Sequence, residues 1–80
     1  MKKPKPTGKA ARAVTDVDRL VGENVRRFRK ARGMTLAELS LGLGISHQQL
    51  QKYETGMNRL SAGIIMDVAK RLDVSLAELF

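Results

Sequence analysis

Residues 45–56, ISHQQLQKYETG, contain an unusual number of long side chains that donate and accept hydrogen bonds. Ile45, Leu50 and Tyr53 are spaced to pack one side of a helix against a core. The other side of that helix then carries a polar set on adjacent turns: His47, Gln48, Gln51, Lys52 and Thr55. An amide can pair with adenine through two hydrogen bonds, and a lysine can donate to guanine O6 and N7. These residue types therefore predict contacts with base edges, the alternative being a solvated helix face.

A short connection before this segment determines how its helix meets the preceding one. Leu43-Gly44-Ile45-Ser46 allow about three residues between the helices, and Gly44 can adopt the left-handed conformation that ends a helix. A turn of this length makes the two helices cross steeply. The arrangement is a helix-turn-helix, whose second helix lies in the DNA major groove.

Ser and Thr residues mark the starts of the later helices. In a capping box, a hydroxyl at N-cap and a Glu or Gln at N3 bond each other's backbone amides. Three boxes are predicted: Thr35 with Glu38, Ser46 with Gln49, and Ser75 with Glu78. Each is bracketed by an apolar pair: Met34 with Leu39, Ile45 with Leu50, and Val74 with Leu79. Ser61 gives a weaker helix start, because its N3 position holds neither Glu nor Gln.

The first helix is predicted from apolar spacing, since Val21, Val25 and Phe28 follow at i, i+4 and i+7. Asp16 or Asp18 is expected to cap its start, and Gly33 to end it. These signals together predict five helices, at about 18–32, 36–43, 47–54, 62–72 and 76–80. No alternating strand pattern occurs. The predicted fold class is therefore all-α, with a compact five-helix domain over residues 16–80.

Positive charge is concentrated at the start of the chain. Of the formal net charge of +7, five units lie in residues 1–12 and two in the remainder. This start contains Lys2, Lys3 and Lys5, two prolines and almost no apolar residue, so residues 1–15 are predicted to form a disordered basic arm. Such an arm beside a folded domain indicates a polyanionic partner, here the DNA backbone. The alternative is a tail that only aids solubility.

Composition argues against several other classes of protein. With no Cys and one His in 80 residues, disulfides, zinc sites and a Cys/His nucleophile pair are not expected. Three aromatic residues are too few for a platform that stacks single-stranded bases. No apolar run approaches the roughly 18 residues of a membrane span, and none follows the basic start as in a signal peptide. We expect no metal, no cofactor, no membrane association and a cytoplasmic, nucleoid-associated location.

These features together resemble the lambda-repressor-like helix-turn-helix domains of the xenobiotic-response-element (XRE, Cro/repressor-type) family of transcriptional regulators. The resemblance runs from about Val21 to Phe80 and rests on four segments: GENVRRFRKARGMT, LAELSLGLGIS, QKYETGMNRL and IIMDVAKRLDVSLAEL. It implies the five-helix fold and a recognition helix at about residues 46–54. It also implies sequence-specific binding of double-stranded DNA.

The resemblance also implies roles for individual residues. Those expected to contact bases are His47, Gln48, Gln49, Lys52 and Asn58, the last either in the groove or on the backbone. Those expected to contact the DNA backbone are Thr35, Ser46, Gln51, Thr55, Arg59 and Ser61. Arg29 and Glu54 match a paired Arg and Glu that tie the first helix to the end of the third, in a partly buried ion pair. The alternative for this pair is two unrelated surface charges.

The sequence departs from the family pattern in the second helix. Leu36 stands where many members have a Gln that touches phosphate, so that contact is either missing or replaced by Thr35 and its neighbouring amides. Ser40 and Gly42 stand where Ala and a larger helix former are common. Because Gly inside a helix costs about 1 kcal/mol relative to Ala, the helix is either locally soft there or closely approached by another group.

The leading functional hypothesis is a sequence-specific regulator that binds double-stranded DNA as a homodimer on a near-palindrome, with half-sites about 34 Å apart. The last helix, with Leu76, Leu79 and Phe80, is the candidate dimer contact. These residues could instead close the core, which is favoured for Leu76 and Leu79. An antitoxin or another protein-interaction module is the alternative function, although the sequence has no extended apolar tail to wrap a partner. The sequence shows no pair of acidic and basic residues of the kind that catalyses reactions in a pocket, so an enzyme is not expected.

Overall fold

Residues 13–80 are described by the computed structural model, and they form five α-helices. The helices are α1 (Asp16–Ala31), α2 (Leu36–Leu43), α3 (His47–Glu54), α4 (Ala62–Leu72) and α5 (Leu76–Leu79). The all-α prediction is confirmed, and no strand occurs in this part of the chain. The observed bounds of α2, α3 and α4 are those predicted, whereas α1 begins two residues earlier. Most of the predicted arm lies outside the described residues.

The start of α1 corrects one prediction. Its N-cap is Thr15 rather than Asp16 or Asp18, and Asp18 is the N3 partner of a capping box. The Thr15 amide donates to the Asp18 carboxylate at 2.9 Å, while the Asp18 amide donates to the Thr15 hydroxyl at 3.2 Å. The hydrogen bond from the Thr15 amide is the main reason that the pKa of Asp18 lies below its ordinary value.

The later helix starts follow the predicted caps with one exception. The boxes at Thr35 and Ser75 are complete, and Ser61 caps α4 with its hydroxyl alone. The Ser46 hydroxyl accepts from the Gln49 amide at 3.0 Å, but within residues 13–80 the Gln49 side chain returns no bond to Ser46. The predicted box at α3 is therefore only half formed, and the Gln49 amide group is left for other contacts.

The turn between α2 and α3 has the predicted length. Gly44, Ile45 and Ser46 lie between the helices, and Gly44 has a φ of 73°, in the left-handed region that favours glycine. The Gly44 amide donates to Leu41 O and the Ile45 amide to Ser40 O, which satisfies carbonyls at the end of α2. The helix-turn-helix geometry is thus held by the backbone itself.

The core lies where the five helices meet. Each helix contacts at least two others. Each also contributes at least one buried apolar residue to the core: Val21 and Val25 (α1), Leu39 and Leu43 (α2), Leu50 (α3), Val68, Ala69 and Leu72 (α4), and Leu79 (α5). Leu60, between α3 and α4, completes this set. Burial of such apolar area is the main term that stabilises a domain of this size.

The last helix divides its apolar residues between core and surface. Leu79 is buried, as expected of a residue that closes the core, and its carbonyl accepts from Asn24 Nδ2 at 2.9 Å. Leu76 and Phe80 are 46% and 55% exposed. The core assignment of Leu76 is therefore wrong. Because α5 is a single turn, only its end reaches the space between α1 and α4.

Gly42 in α2 is approached closely by a side chain of α4. A Cβ at Gly42 would lie 3.2 Å from Arg71 Cδ and 3.3 Å from an Arg71 guanidinium nitrogen. The Arg71 side chain, which pairs with Asp67 at 3.6 Å, therefore lies across this glycine. Of the two interpretations of Gly42, close approach is the one that the packing supports.

Candidate nucleic-acid interface

One side of α3 is fixed in the protein and the opposite side is exposed. Leu50 and Glu54 are buried, and Tyr53 packs against the core in a half-buried position. The exposed side, here called the recognition face, consists of His47, Gln48, Gln51, Lys52 and Thr55. Their spacing of three and four residues places them on adjacent turns of one face. The helix therefore presents amide, imidazole and ammonium groups to solvent from a fixed position.

The ion pair of Arg29 with Glu54 holds the end of α3. Arg29 donates from Nε to Glu54 Oε2 at 2.8 Å and from a terminal nitrogen to Oε1 at 3.0 Å, while both residues are buried. Its other terminal nitrogen donates to Met34 O at 2.7 Å. A single guanidinium thus joins α1, the segment before α2 and the last turn of α3. Such planar, two-bonded contact restricts the position of α3 more than a single point charge would.

Gly22 is a positioning residue that sequence reasoning missed. A Cβ at this buried position would collide with the carbonyl oxygen of Tyr53 and lie 3.4 Å from Glu54 O. The α1 backbone therefore touches the last turn of α3 directly, which only glycine permits. A lone Gly inside a helical apolar pattern was the available signal, because such a residue often marks a close packing contact.

A second contact from α1 follows the end of α3. Gly56, with a φ of 80°, lies against the side chain of Arg19, so that a Cβ there would be 2.8 Å from Arg19 Cγ. Both Met57 and Asn58 donate their amides to Lys52 O, which closes the last turn. The segment that leaves the recognition face is therefore held by α1 as well as by its own hydrogen bonds.

The hydroxyls expected to contact phosphate differ in what they can donate. Those of Thr35, Ser46 and Ser61 accept hydrogen bonds from backbone amides, which leaves each O–H proton free to donate to an anion. Thr55 is different, since its hydroxyl already donates to Gln51 O at 2.9 Å. Direct donation from Thr55 to a phosphate therefore requires that this bond be broken.

Three predicted site residues lie beside the recognition face rather than on it. Gln49, Asn58 and Arg59 line a depression of about 370 Å³ together with Val14, and Gln49 is half-buried there. Arg59 also acts electrostatically on Asp18 at the start of α1. The described part of the chain therefore begins next to the flank of α3. Lys2, Lys3 and Lys5 lie outside the described residues.

A larger cleft lies beside the contact between α1 and the end of α3. It has a volume of about 740 Å³, and two of the recognition-face residues, Gln51 and Thr55, form one edge of it. Leu36 at the start of α2 also lines it. The α1 wall carries side chains that sequence reasoning did not assign to the site: Arg19, Glu23, Arg26, Arg27 and Lys30. Their spacing of three, four and seven residues was the signal that they share one helix face.

A metal-binding cluster and a membrane-spanning helix are both absent from the described residues. Among residues 13–80 no three His, Asp or Glu side chains come together as a metal site would require. None of the described helices has the length and apolar character needed to cross a membrane.

Comparison with known proteins identifies the fold family. The sequence profile of the helix-turn-helix family matches residues 25–79, from the middle of α1 to the end of α5. The chain belongs to this family. The expected resemblance to XRE-type, lambda-repressor-like regulators is confirmed, because curated relatives are named as helix-turn-helix transcriptional regulators and the fold matches solved regulators.

Among sequence relatives of this helix-turn-helix chain is an uncharacterised transcriptional regulator in the ATPase CF(0) region of Rhodospirillum rubrum. The two are 42% identical over 69 residues, which cover 86% of this chain and 64% of the relative. The chain spans about half the length of other curated relatives that it matches. The shared part is thus the helix-turn-helix domain, within longer proteins.

Two solved structures show how closely the helix-turn-helix fold is shared. The clp gene regulator ClgR from Corynebacterium glutamicum superimposes with a TM-score of 0.77 at 28% identity, covering 81% of this chain and 84% of that chain. The biofilm regulator SinR, solved in complex with DNA, superimposes with a TM-score of 0.68 at 28% identity, covering 74% of this chain and 95% of that chain. This chain is similar to both in the arrangement of its helices.

Proposed function

We propose that this chain is a sequence-specific regulator of transcription that binds double-stranded DNA with α3 in the major groove. The observation that carries the proposal is the fixed position of α3, whose buried Leu50 and Glu54 leave an amide-rich face exposed. A rigid helix of this kind can present side chains to base edges without a further ordering cost. The match to the helix-turn-helix family and the likeness to a regulator solved with DNA support the same function.

Base discrimination is assigned to the recognition face and its flank. His47, Gln48 and Lys52 carry the donors and acceptors that distinguish base pairs in the major groove. Gln49 and Asn58 lie on the flank of α3, where the half-formed cap leaves the Gln49 amide group available. These five residues form the proposed base-reading set.

Backbone contacts are assigned to residues around that set. Ser46 and Thr35 stand at the starts of α3 and α2, where free backbone amides and a hydroxyl proton favour an anion. Ser61 has the same local chemistry at the start of α4. Gln51, Thr55 and Arg59 complete the assignment, with Thr55 limited by its existing hydrogen bond.

The basic start of the chain is proposed to bind the DNA backbone too. Val14 lies beside Asn58 and Arg59, so Lys2, Lys3 and Lys5 are attached to the domain next to the flank of α3. A cationic segment tethered there adds attraction that does not depend on base sequence. This role requires no fixed structure of the segment.

A homodimer is proposed because one such domain reads only a few base pairs. Leu76 and Phe80 are half exposed, and the α1 face that receives α5 also exposes Leu20 and Val17. These apolar side chains are suited to contact a second copy, which would place two recognition helices on one face of the duplex. We place this activity in the cytoplasm, on the nucleoid.

Selection of bound sequences from random duplex DNA, at a stated salt concentration, tests the proposed function. We expect enrichment of a near-palindrome whose half-sites are about 34 Å apart, one turn of the duplex. A His47→Ala/Gln48→Ala/Lys52→Ala variant is the control, because these exposed changes should abolish enrichment without unfolding the domain. No enrichment by the unmodified protein would refute sequence-specific binding.

A further inference from the structure

The cleft between α1 and α3 adjoins the recognition face but is lined mainly by charged residues of α1. Arg19, Glu23, Arg26 and Lys30 follow at i, i+4, i+7 and i+11, so they form one stripe along the helix. The opposite edge of the cleft is formed by Gln51 and Thr55 on α3. If the bases of a DNA strand contact the recognition face, the backbone of that strand would therefore run beside this cleft.

The cations of the cleft differ in how far they are already engaged. Arg29 is bound to Glu54, and Arg19 pairs with Asp16 at 3.1 Å. Arg27 donates to Asn24 at 3.1 Å and lies over the Phe28 ring, 4.6 Å from its centroid.

Arg26 and Lys30 are exposed, and within residues 13–80 their side chains form no hydrogen bond or ion pair. Two unengaged positive charges thus stand one turn apart on the α1 wall. Glu23 is the nearby carboxylate on that wall and likewise forms no ion pair within these residues. The two unengaged cations, Arg26 and Lys30, therefore leave the wall with a net positive charge despite Glu23.

Apart from the Gln51 amide, the remaining lining adds little that could hold an anion. Leu36 offers no polar side-chain atom, and the Thr55 hydroxyl donates its proton to Gln51 O. The cleft has no aromatic side chain among its lining residues, so it lacks the means to stack a base or nucleoside. Its positive charges suit a small, strongly solvated anion. The phosphodiester group that links successive nucleosides in DNA is such an anion.

We infer that the α1–α3 cleft binds a phosphate of the DNA backbone through Arg26 and Lys30. The inference rests on the proposed function and extends the protein surface in contact with DNA from the helix-turn-helix to α1. Arg26 can donate two parallel hydrogen bonds to a phosphate, whereas Lys30 acts as a point charge. Because these contacts reach no base, they add affinity for every sequence and leave base preference to α3.

The salt dependence of binding tests this inference with the 80-residue chain. Fluorescence anisotropy would measure the affinity for the selected operator and for a random duplex over a series of salt concentrations. Each phosphate contact contributes about 0.9 to the slope of log K against log salt. We expect Arg26→Gln/Lys30→Gln to reduce that slope by about 0.9 on both duplexes, because the two side chains contact one phosphate. The ratio of operator to random affinity should be unchanged.

Matched variants separate a local contact from a general loss of charge. Lys30→Gln is compared with Lys70→Gln, because both remove one exposed lysine from the last turn of a helix and Lys70 does not line the cleft. Lys30→Gln should reduce the slope and Lys70→Gln should leave it unchanged. The charge-conserving Arg26→Lys/Lys30→Arg variant should keep the original slope. Circular dichroism and thermal unfolding verify that each variant is folded.

The outcomes distinguish this inference from the proposed function. If the operator is bound specifically but Arg26→Gln/Lys30→Gln leaves the slope unchanged, the cleft does not bind phosphate and the proposed function stands. Equal effects of Lys30→Gln and Lys70→Gln would also overturn the inference, since only net charge would then matter. If no DNA is bound specifically, the proposed function itself fails.

Discussion

Gln48 lies in the first turn of α3 and is exposed on the recognition face, where an amide can form two hydrogen bonds to one adenine. We predict that Gln48→Ala costs about 1–3 kcal/mol of binding free energy on the selected operator and little on random DNA. Equilibrium titrations on both duplexes would measure this difference. Gln51→Ala is the comparison, because loss of a backbone contact should weaken both alike. Equal losses for Gln48→Ala on the two duplexes would contradict its base-reading role.

The ion pair of Arg29 and Glu54 acts on stability through its burial. Removing one partner leaves the other charge buried without compensation, so Glu54→Ala should lower the free energy of unfolding by about 3–5 kcal/mol. Denaturant titration would measure it. The double variant Arg29→Met/Glu54→Leu should recover most of that loss, since no buried charge remains. A loss below about 1 kcal/mol for Glu54→Ala would mean that the pair behaves like an exposed one.

Between elements, the contact of α1 with α3 depends on the missing side chain of Gly22. We predict that Gly22→Ala lowers the free energy of unfolding by about 1–3 kcal/mol, because the added methyl group must push the end of α3 away. The same shift should lower operator affinity more than random affinity, as base contacts depend on the position of α3. Denaturant unfolding and anisotropy would report the two effects.

Gly63 provides the control for Gly22. It also lies in a helix, but a Cβ there would have no neighbour within 4 Å. Gly63→Ala should therefore be neutral or stabilising, because Ala favours the helix. If Gly22→Ala behaves like Gly63→Ala in both measurements, the close crossing of α1 and α3 is not what positions the recognition helix.

The N-cap residues at the starts of α2 and α5 were easy to predict from the sequence. Thr35 and Ser75 act through residues three positions away, so the pattern of the sequence contains the whole interaction. The cap of α1 was missed because Asp18, rather than Glu or Gln, fills the N3 position after Thr15. The box at Ser46 was overstated, since a suitable residue at N3 does not ensure that its side chain turns back.

Across the whole molecule, positive charge is unevenly divided between residues 1–12 and the folded domain. We predict that deleting residues 1–12 weakens binding to operator and random DNA alike and flattens the dependence on salt, because five basic side chains are removed. Titrations of both duplexes at several salt concentrations would show this. The retained Val14 keeps the flank of α3 unchanged. An unchanged slope would show that this segment does not touch DNA.

Sequence patterns were sufficient to predict the five helices, the short turn between α2 and α3, and the division of α3 into a buried and an exposed side. These features depend on residues within a few positions of each other, and local spacing records them. The ion pair of Arg29 and Glu54, 25 positions apart, was accessible only through family resemblance.

Contacts between side chains of different helices became visible in the folded structure. It placed Gly22 against the carbonyls of α3, Arg71 over Gly42, and Arg26 and Lys30 on a wall facing α3. It also left Leu76 at the surface while burying Leu79. The reason is that these contacts depend on the crossing angles and distances between helices, which arise from the packing of the whole core and have no period along the chain.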